Sequence, residues 1–394
     1  MKERLSNIFI NFRFVLILYS VAAVAISVQS YLQGTKIWDG NPYLHYNNYN
    51  IFKYSFYHLL DGVSLYQHYL TEYFDLYKYS PAFSLFFGSI VWLPDLPGLM
   101  LWNLINVFVL FIGIKSLPGL TDKSKVWLLF FVFFEMVGSL QNSQSNALVV
   151  GLIILAFSQL ENKKYFWATF FITFSVFIKL FGIVAFALYL FYPRKKKLVL
   201  YGFFWTLFFL FIPLIVTSFS ELLFQYSEWW AMLASDHSQS LGISIFGMLN
   251  SWFNFNISKI YILISGVVIF LIPLIRIKKY SDFNFRLLTL ASILIWIIIF
   301  NHKAESPTFV IAMSGIGIYL FYDKFTNTKL GLMILSIVFT SLMFQDFIPQ
   351  SFKNDVIIAF NLKVLPSVII WFIIIKEMTV GKDWLKMRKK ATED

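Results

Sequence analysis

The stretch GLMLWNLINVFVLFIGIKS, residues 98–116, decides the class of fold to which this chain belongs. It is apolar over most of its length, and a helix needs about 20 such residues to cross the roughly 30 Å hydrocarbon core of a bilayer. Similar runs fill most of the chain on both sides, at residues 14–32, 82–94, 126–140, 146–160, 166–178, 181–192, 198–217, 258–275, 287–300, 307–321, 330–344 and 364–376. We therefore expect an all-α polytopic integral membrane protein, built as a single domain over residues 1–394.

The composition excludes several other classes of protein. Apolar residue types make up 58% of the chain and charged types 13%, whereas a soluble domain has roughly 25% charged residues. The chain contains no cysteine. A soluble enzyme, a disordered protein and a disulfide-stabilised scaffold are therefore excluded.

The positions of lysine and arginine predict the orientation. If residues 82–94 form a juxtamembrane helix on the outer face and every other run crosses once, about 12 helices span the membrane, with both termini in the cytoplasm. The predicted cytoplasmic segments then hold 24 basic residues and the outer segments hold 8, which follows the positive-inside rule. The net charge of +11 thus reflects topology in a plasma or inner membrane, and no nucleic acid is needed to explain it.

Several of the runs are short for a membrane span. A helix of 13–15 residues covers roughly 20 Å. Such a helix must tilt, extend into polar residues or border a wet cavity. We expect some of these helices to frame a cavity.

Polar residues gather on the predicted outer side, beginning with the long loop 33–80. Residues 49–60, YNIFKYSFYHLL, have the pattern of an amphipathic helix at the membrane interface. Asp61 and Gly62 end this helix, and Pro81 suits the first turn of the next one. The loop is either a set of aromatic anchors or a lid over a lipid-accessible cavity, and its length favours the lid. The carboxylates that such a lid would hold are Asp61, Glu72 and Asp75.

A second polar group is the turn QNSQSN at residues 141–146. Amide side chains offer paired donors and acceptors without charge, which suits hydroxyl-rich ligands such as sugars. The simpler interpretation is a solvated turn in which Asn142 or Ser145 caps a helix. Glu135, inside the preceding apolar run, is either functional or paired, or it reaches water near the helix end.

Two groups of cations lie near the same predicted face. Lys179 interrupts FITFSVFIKLFGIVAF, where it either binds an anion such as phosphate or extends to the headgroups. The turn NHKAESP at 301–307 contains His302, Lys303 and Glu305, which form either a phosphate-binding cluster or an ordinary polar turn. No Walker A, GxGxxG, HExxH or CxxC motif occurs, so an ATP-driven pump is excluded.

Seven motifs occur in order along the chain, namely LLDGVSLY (59–66), YSP (79–81), LPDLPG (93–98), QNSQSN (141–146), FIKLFG (177–182), SEWWAMLASDHSQSLGISIFG (227–247) and NHKAESPTF (301–309). In this order they resemble glycosyltransferase family 87, a family of GT-C-fold membrane enzymes similar to mannosyltransferases of glycolipid synthesis. The resemblance covers nearly the whole chain. It implies transfer of a mannose-like hexose from a polyprenyl-phosphate-sugar donor to a lipid-linked or glycan acceptor. This transfer would take place on the extracytoplasmic face, with inversion.

The resemblance also implies an aspartate general base early in the first outer loop. The matching position is Asn48, in NNYNIF, and an amide cannot act as a base. The base is therefore expected among the carboxylates that follow or flank it, in the order Asp75, Glu72, Asp61 and Asp39.

The remaining roles follow from the chemistry of a phosphate leaving group. Lys179, His302 and Lys303 would bind the donor phosphate, and Gln141, Asn142, Asn146 and Glu305 would contact the sugar or the acceptor. No metal or other cofactor is needed if these cations carry the charge, although the nearby carboxylates leave room for a divalent cation. Membrane lipids are the other expected partners.

Three alternatives stay open. A transporter or flippase would place polar residues near mid-membrane in two related halves, but here they gather on one side. A polysaccharide polymerase or ligase with diphosphate-linked donors would want more outer cations than the 8 found. A noncatalytic assembly protein is supported only by Asn48.

Overall fold

The computed structural model describes residues 11–38, 40–235, 240–254, 257–344 and 348–381. The fold is mostly helical, at 75% of the residues, as the apolar runs predicted. The described residues also contain one antiparallel hairpin inside the first polar loop, in which β1 (Thr35–Trp38) pairs with β2 (Asn41–Leu44). The sequence did not predict this hairpin. Asp39, one of the carboxylates considered above, lies outside the described residues.

The described chain contains nine α-helices up to residue 235. They are α1 (Phe12–Leu32), α2 (Asn47–Leu60), α3 (Pro81–Phe87), α4 (Asp95–Ser116), α5 (Asp122–Gln141), α6 (Asn146–Glu161), α7 (Tyr165–Ile178), α8 (Lys195–Phe211) and α9 (Phe219–Ser235). A 3₁₀ segment, Leu180–Phe191, lies between α7 and α8. Six more α-helices of nine or more residues follow in the described chain, namely α10 (Ile245–Phe253), α11 (Lys259–Leu271), α12 (Phe283–Ile299), α13 (Phe309–Phe321), α14 (Asn327–Ser336) and α15 (Leu365–Val380), and a single helical turn, Gln350–Phe352, lies between α14 and α15.

Four helices in the described part of the chain are long and apolar enough to cross a membrane. They are α1, α4, α5 and α8 with its extension to Ile215. The bent pair Gln350–Ile358 and Leu362–Val380, which meet at 65°, adds a fifth if it forms one span. The other apolar helices have 10–17 residues, as the short runs predicted. The chain is thus a helical membrane protein, and the count of about 12 spans stays a prediction.

The chain forms two compact units. The first takes its residues from the ranges 1–118, 136–186 and 194–239, and the second from 119–135, 187–193 and 240–394. In the first unit α4 and α6 approach closely, because a Cβ atom at Gly113 would lie 2.8 Å from the carbonyl oxygen of Gly151. Small residues permit such contacts between membrane helices. The single-domain organisation stays a prediction.

Helix α2 packs its apolar face onto its own unit. Phe52 is fully buried, and its ring makes edge-to-face contacts with Phe83, Phe87 and Trp102. The Lys53 ammonium lies 2.6 Å from the Asp95 carboxylate at the start of α4. The helix ends as predicted, with Asp61 at its C-cap and Gly62 at φ +68°.

In the second unit, α12 and α13 form the apolar core. Most of their residues are buried, and Gly315 brings α13 so close to α12 that a Cβ atom there would lie 2.6 Å from the Ala291 carbonyl oxygen. Trp371 of α15 is fully buried and donates from Nε1 to Ser292 Oγ on α12 at 2.9 Å. Three helices therefore share one core.

Candidate active site

Lys179 stands where two helical segments meet in the first unit. Helix α7 ends at Ile178, Lys179 has an extended backbone (φ −138°, ψ 119°), and the 3₁₀ segment begins at Leu180. Its Nζ atom donates to Oδ1 of Asn146 at 2.7 Å. Hydrogen bonds to charged groups are worth about 1.5–3 kcal/mol. The break in the helix and this bond together fix the position of the ammonium group.

Asn146 belongs to a short chain of amides. Its Nδ2 atom donates to Oε1 of Gln144 at 2.5 Å, and both side chains are buried. Helix α4 stabilises the turn that carries these two residues, because Trp102 Nε1 on α4 donates to the Ser143 carbonyl at 2.9 Å. Ser143 has φ +51°, a conformation that costs a non-glycine residue energy and needs surrounding support. The amides that the sequence singled out therefore hold Lys179 as well as lining the turn.

The loop that precedes α3 meets the same break in the chain. Ser80, the N-cap of α3, donates from Oγ to the Phe177 carbonyl at 2.5 Å. The ring centroid of Tyr79 lies 5.8 Å from the Lys179 Nζ atom, within the range of a cation–π contact. The Lys179 ammonium thus lies between the turn that carries Asn146 and the end of the first polar loop.

Two consecutive asparagines at the start of α2 join the other parts of the site. Asn47 Nδ2 donates to the Phe74 carbonyl at 2.7 Å, and the Phe74 amide donates back to Asn47 Oδ1 at 2.9 Å. Asn48 Nδ2 donates to the Asn142 carbonyl at 2.8 Å. Asn48, where the resemblance expected a base, is therefore a structural link between α2 and the amide turn.

Asp75 directly follows Phe74, whose backbone amide and carbonyl bind the Asn47 side chain. It is exposed and has φ +77°, a strained conformation of the kind that clusters at functional sites. Its Oδ1 atom accepts from the Leu76 amide at 2.7 Å and lies 3.1 Å from Lys78 Nζ. A carboxylate is the kind of side chain that can accept a proton as a general base.

Glu72 is engaged differently. One of its oxygens lies 2.8 Å from Nε2 of His58, a buried side chain that stacks on Tyr69 with ring centroids 3.8 Å apart. Burial lowers the pKa of His58 below its usual 6.5, and the nearby carboxylates of Glu72 and Asp61 oppose part of that shift. Asp61 is exposed at the end of α2. Of these carboxylates, Asp75 is held next to the asparagine pair.

The structure leaves two of the predicted sugar contacts accessible. Gln141 and Asn142 are exposed, and Asn142 Nδ2 donates to the Gly138 carbonyl at 2.9 Å. In the first unit, Asn48 contacts the turn that also carries Asn146, and Asn146 accepts from Lys179. Asp75 is linked to the same end of α2 through its neighbour Phe74, which binds Asn47.

His302, Lys303 and Glu305 lie in the second unit. The Lys303 amide donates to Asn301 Oδ1 at 3.0 Å, and the Ile243 amide donates to the Ala304 carbonyl at 2.8 Å. Gly242 (φ +59°) passes so close that a Cβ atom there would lie 2.6 Å from the His302 carbonyl oxygen. The segment around Gly242 therefore fixes the backbone of the turn.

Sequence reasoning missed two sets of polar contacts. In the second unit, Lys363 Nζ lies 3.0 Å from Glu135 and 2.7 Å from Ser306 Oγ, fully buried. Glu135 is thus paired, one of the alternatives considered for it. In the first unit, Gln225 of α9 accepts from the Leu65 amide and donates to the Val63 carbonyl, and Ser64 donates to Glu228. Sequence spacing does not reveal these contacts, because the residues that meet are far apart in the chain.

The described residues contain no group of three or more His, Cys, Asp or Glu side chains that could hold a metal ion. The scaffold is that of a helical membrane protein in which a break after α7 places Lys179 against Asn146. The family model for glycosyltransferase family 87 matches residues 77–300, more than half of the chain, and the chain belongs to this family. A comparison with curated proteins gives no match.

The matched range contains the amide turn and Lys179 and ends directly before Asn301. Asn48, Asp61, Glu72 and Asp75 precede it. Family membership makes this chain a membrane glycosyltransferase. The part of the site built on Lys179 and Asn146 lies inside the range that carries the family signal.

Proposed function

We propose that this enzyme transfers a mannose-like hexose from a polyprenyl-phosphate-sugar donor to a lipid-linked or glycan acceptor. The reaction takes place on the extracytoplasmic face of the plasma or inner membrane and inverts the anomeric carbon. The fold proposed is GT-C-like, with about 12 membrane-spanning helices and cytoplasmic termini. Family membership and the fixed ammonium of Lys179 support this proposal.

The observation that carries the proposal furthest is the bond between Lys179 and Asn146. A lysine beside apolar helices is costly unless it meets an anion or water, and Asn146 directs the ammonium without adding negative charge. A phosphate monoester linked to a lipid fits such a group, since its tail can remain in the bilayer. In this proposal Lys179 stabilises the charge that develops on the leaving phosphate.

Asp75 is the proposed general base. Its carboxylate takes the proton from an acceptor hydroxyl as that oxygen attacks the anomeric carbon, while the bond from that carbon to the phosphate oxygen breaks. The products are the new glycoside and polyprenyl phosphate. Glu72 and Asp61 are the next candidates for the base.

The other proposed roles complete the site. His302 and Lys303 contribute further contacts to the donor phosphate, and Gln141, Asn142 and Glu305 contact the sugar or the acceptor. These cations would carry the phosphate charge without a metal, and addition of a chelator tests that part of the proposal.

The decisive experiment offers purified protein in nanodiscs a set of radiolabelled donors with lipid extract as the acceptor source. The set contains polyprenyl-phosphate hexoses, polyprenyl-diphosphate sugars and nucleotide sugars. We expect label transfer from a polyprenyl-phosphate hexose only. Transfer from the diphosphate donor alone would support a polymerase or ligase. In sealed proteoliposomes, movement of an intact lipid-linked glycan across the bilayer without transfer would support a flippase.

A further inference from the structure

A basic cavity lies at the end of α7 opposite to Lys179. It has a volume of about 570 Å³ and is formed by the turn between α6 and α7 and by the start of α8. Four cationic side chains line it, namely Lys163, Lys164, Arg194 and Lys197. No carboxylate is among its lining residues. Within the described residues, none of these four side chains forms a salt bridge.

The backbone adds positive potential to the same place. Lys164 and Arg194 are the N-cap residues of α7 and α8, and neither side chain caps its helix with a hydrogen bond. Neither helix has an acidic residue in its first turn. Because a helix N-terminus carries roughly half a positive charge, two helix ends and four cations act on one cavity. An anion is the complementary ligand.

One wall of the cavity is aromatic. Phe166, Trp167 and Tyr201 line it, and Trp167 is half exposed. Phe166 is held in place because Trp205 Nε1 on α8 donates to its carbonyl at 3.0 Å. Tyrosine and tryptophan favour the boundary between headgroups and acyl chains. The four cationic side chains beside this aromatic wall suit a ligand with a phosphate at one end and an apolar tail at the other.

We propose that this cavity binds the headgroup phosphate of an anionic phospholipid from the leaflet predicted to be cytoplasmic. The cations bind the phosphate oxygens, and the aromatic wall contacts the glycerol and the first carbons of the acyl chain. The cationic end of this site is separate from the donor site, because the 14 residues of α7 place about 21 Å between Lys164 and Lys179 along the helix. The proposal does not depend on the sugar donor.

The run RKKK at 194–197 supplies a matched control. All four side chains are exposed, but only Arg194 and Lys197 line the cavity, and Lys195 and Lys196 do not. The variants Arg194→Gln/Lys197→Gln and Lys195→Gln/Lys196→Gln each remove two charges from the same run. They therefore weaken nonspecific attraction to anionic membranes equally. Equal thermal midpoints without added lipid establish that both variants are folded.

The test measures lipid binding to the delipidated full chain by native mass spectrometry, with phosphatidylglycerol, phosphatidylcholine and inorganic phosphate as separate probes. We expect phosphatidylglycerol to bind at least tenfold more tightly than phosphatidylcholine. Arg194→Gln/Lys197→Gln should lose this preference, and Lys195→Gln/Lys196→Gln should keep it within twofold. Equal losses in the two variants would overturn the proposal. Displacement of the lipid by submillimolar inorganic phosphate would overturn the assignment to a lipid.

Discussion

The Nζ atom of Lys179 lies 2.7 Å from Oδ1 of Asn146, and Asn146 in turn donates to Gln144 at 2.5 Å. Two motifs that are separate in the sequence, FIKLFG and QNSQSN, thus form one arrangement. Lys179 supplies a positive charge, and Asn146, which is itself bound to Gln144, fixes where the ammonium group lies.

Replacing Asn146 by Asp should weaken donor binding. The new carboxylate would pair with Lys179 and compete with the donor phosphate, since an opposite charge at hydrogen-bond distance binds the ammonium more strongly than an amide does. We expect KM for the donor to rise by about tenfold with a smaller change in kcat, measured by label transfer in nanodiscs. Asn162→Asp, at the opposite end of α6, is the control and should leave KM unchanged. Equal KM values for both variants would contradict the role of Asn146.

Asp75→Asn should lower kcat far more than it raises KM. Loss of a general base typically costs about 10²–10⁴-fold in rate, and the amide has nearly the same shape as the carboxylate. Asp122→Asn, an exposed aspartate at the start of α5, serves as the control. If Asp75→Asn keeps wild-type kcat and Glu72→Gln or Asp61→Asn loses it, the base is one of those residues.

The His58–Glu72 pair predicts a pH dependence of stability. Because burial holds the pKa of His58 in the folded protein below its usual 6.5, the folded state binds the proton less readily than the unfolded state. Stability should therefore be full above about pH 7 and should fall as the pH drops through about 6.5. The thermal midpoint, measured from pH 8 to pH 5, should fall less in His58→Gln than in the wild type. Identical slopes for the two proteins would assign the effect to other groups.

The buried Glu135–Lys363 pair predicts a non-additive effect on stability. Removing one partner leaves an uncompensated buried charge, which costs about 3–5 kcal/mol, whereas replacing both by apolar residues is often neutral. Glu135→Met and Lys363→Met should each lower the thermal midpoint, and the double variant should recover most of the loss. A double variant as unstable as the sum of the single variants would show that the two charges do not act as a pair.

The sequence predicted the helices well and the contacts between them only in part. Apolar runs gave bounds close to the observed ones, for example 146–160 against Asn146–Glu161 for α6, because hydropathy reports directly on helix length in a membrane. The hairpin 35–44 was not predicted, since Pro42 and the short strands give no clear alternation. The 3₁₀ form of 180–191 was not predicted either, because an apolar run gives no sign of its hydrogen-bond pattern.

In the candidate site, too, the sequence predicted individual residues but not the contacts between them. Lys179 and the amide turn could be singled out because polar residues among apolar runs stand out. That Asn47 and Asn48 would bridge two segments, and that Lys363 would pair with Glu135, depended on distances that no local pattern encodes.

The proposed function depends on a contact between Lys179 and the phosphate of the polyprenyl-phosphate-sugar donor, which kinetics can test. Donor KM and transfer rates are determined in nanodiscs for the wild type, Lys179→Met, Lys179→Arg and Lys259→Met. The last variant removes a partly buried lysine that is predicted to lie on the same outer side and that donates to the Ser240 carbonyl. A lost charged hydrogen bond of about 1.5–3 kcal/mol corresponds to a loss of about 10–150-fold in kcat/KM. We expect this loss in Lys179→Met, partial rescue in Lys179→Arg and wild-type values in Lys259→Met. Unchanged kcat/KM in a folded Lys179→Met protein would contradict the account.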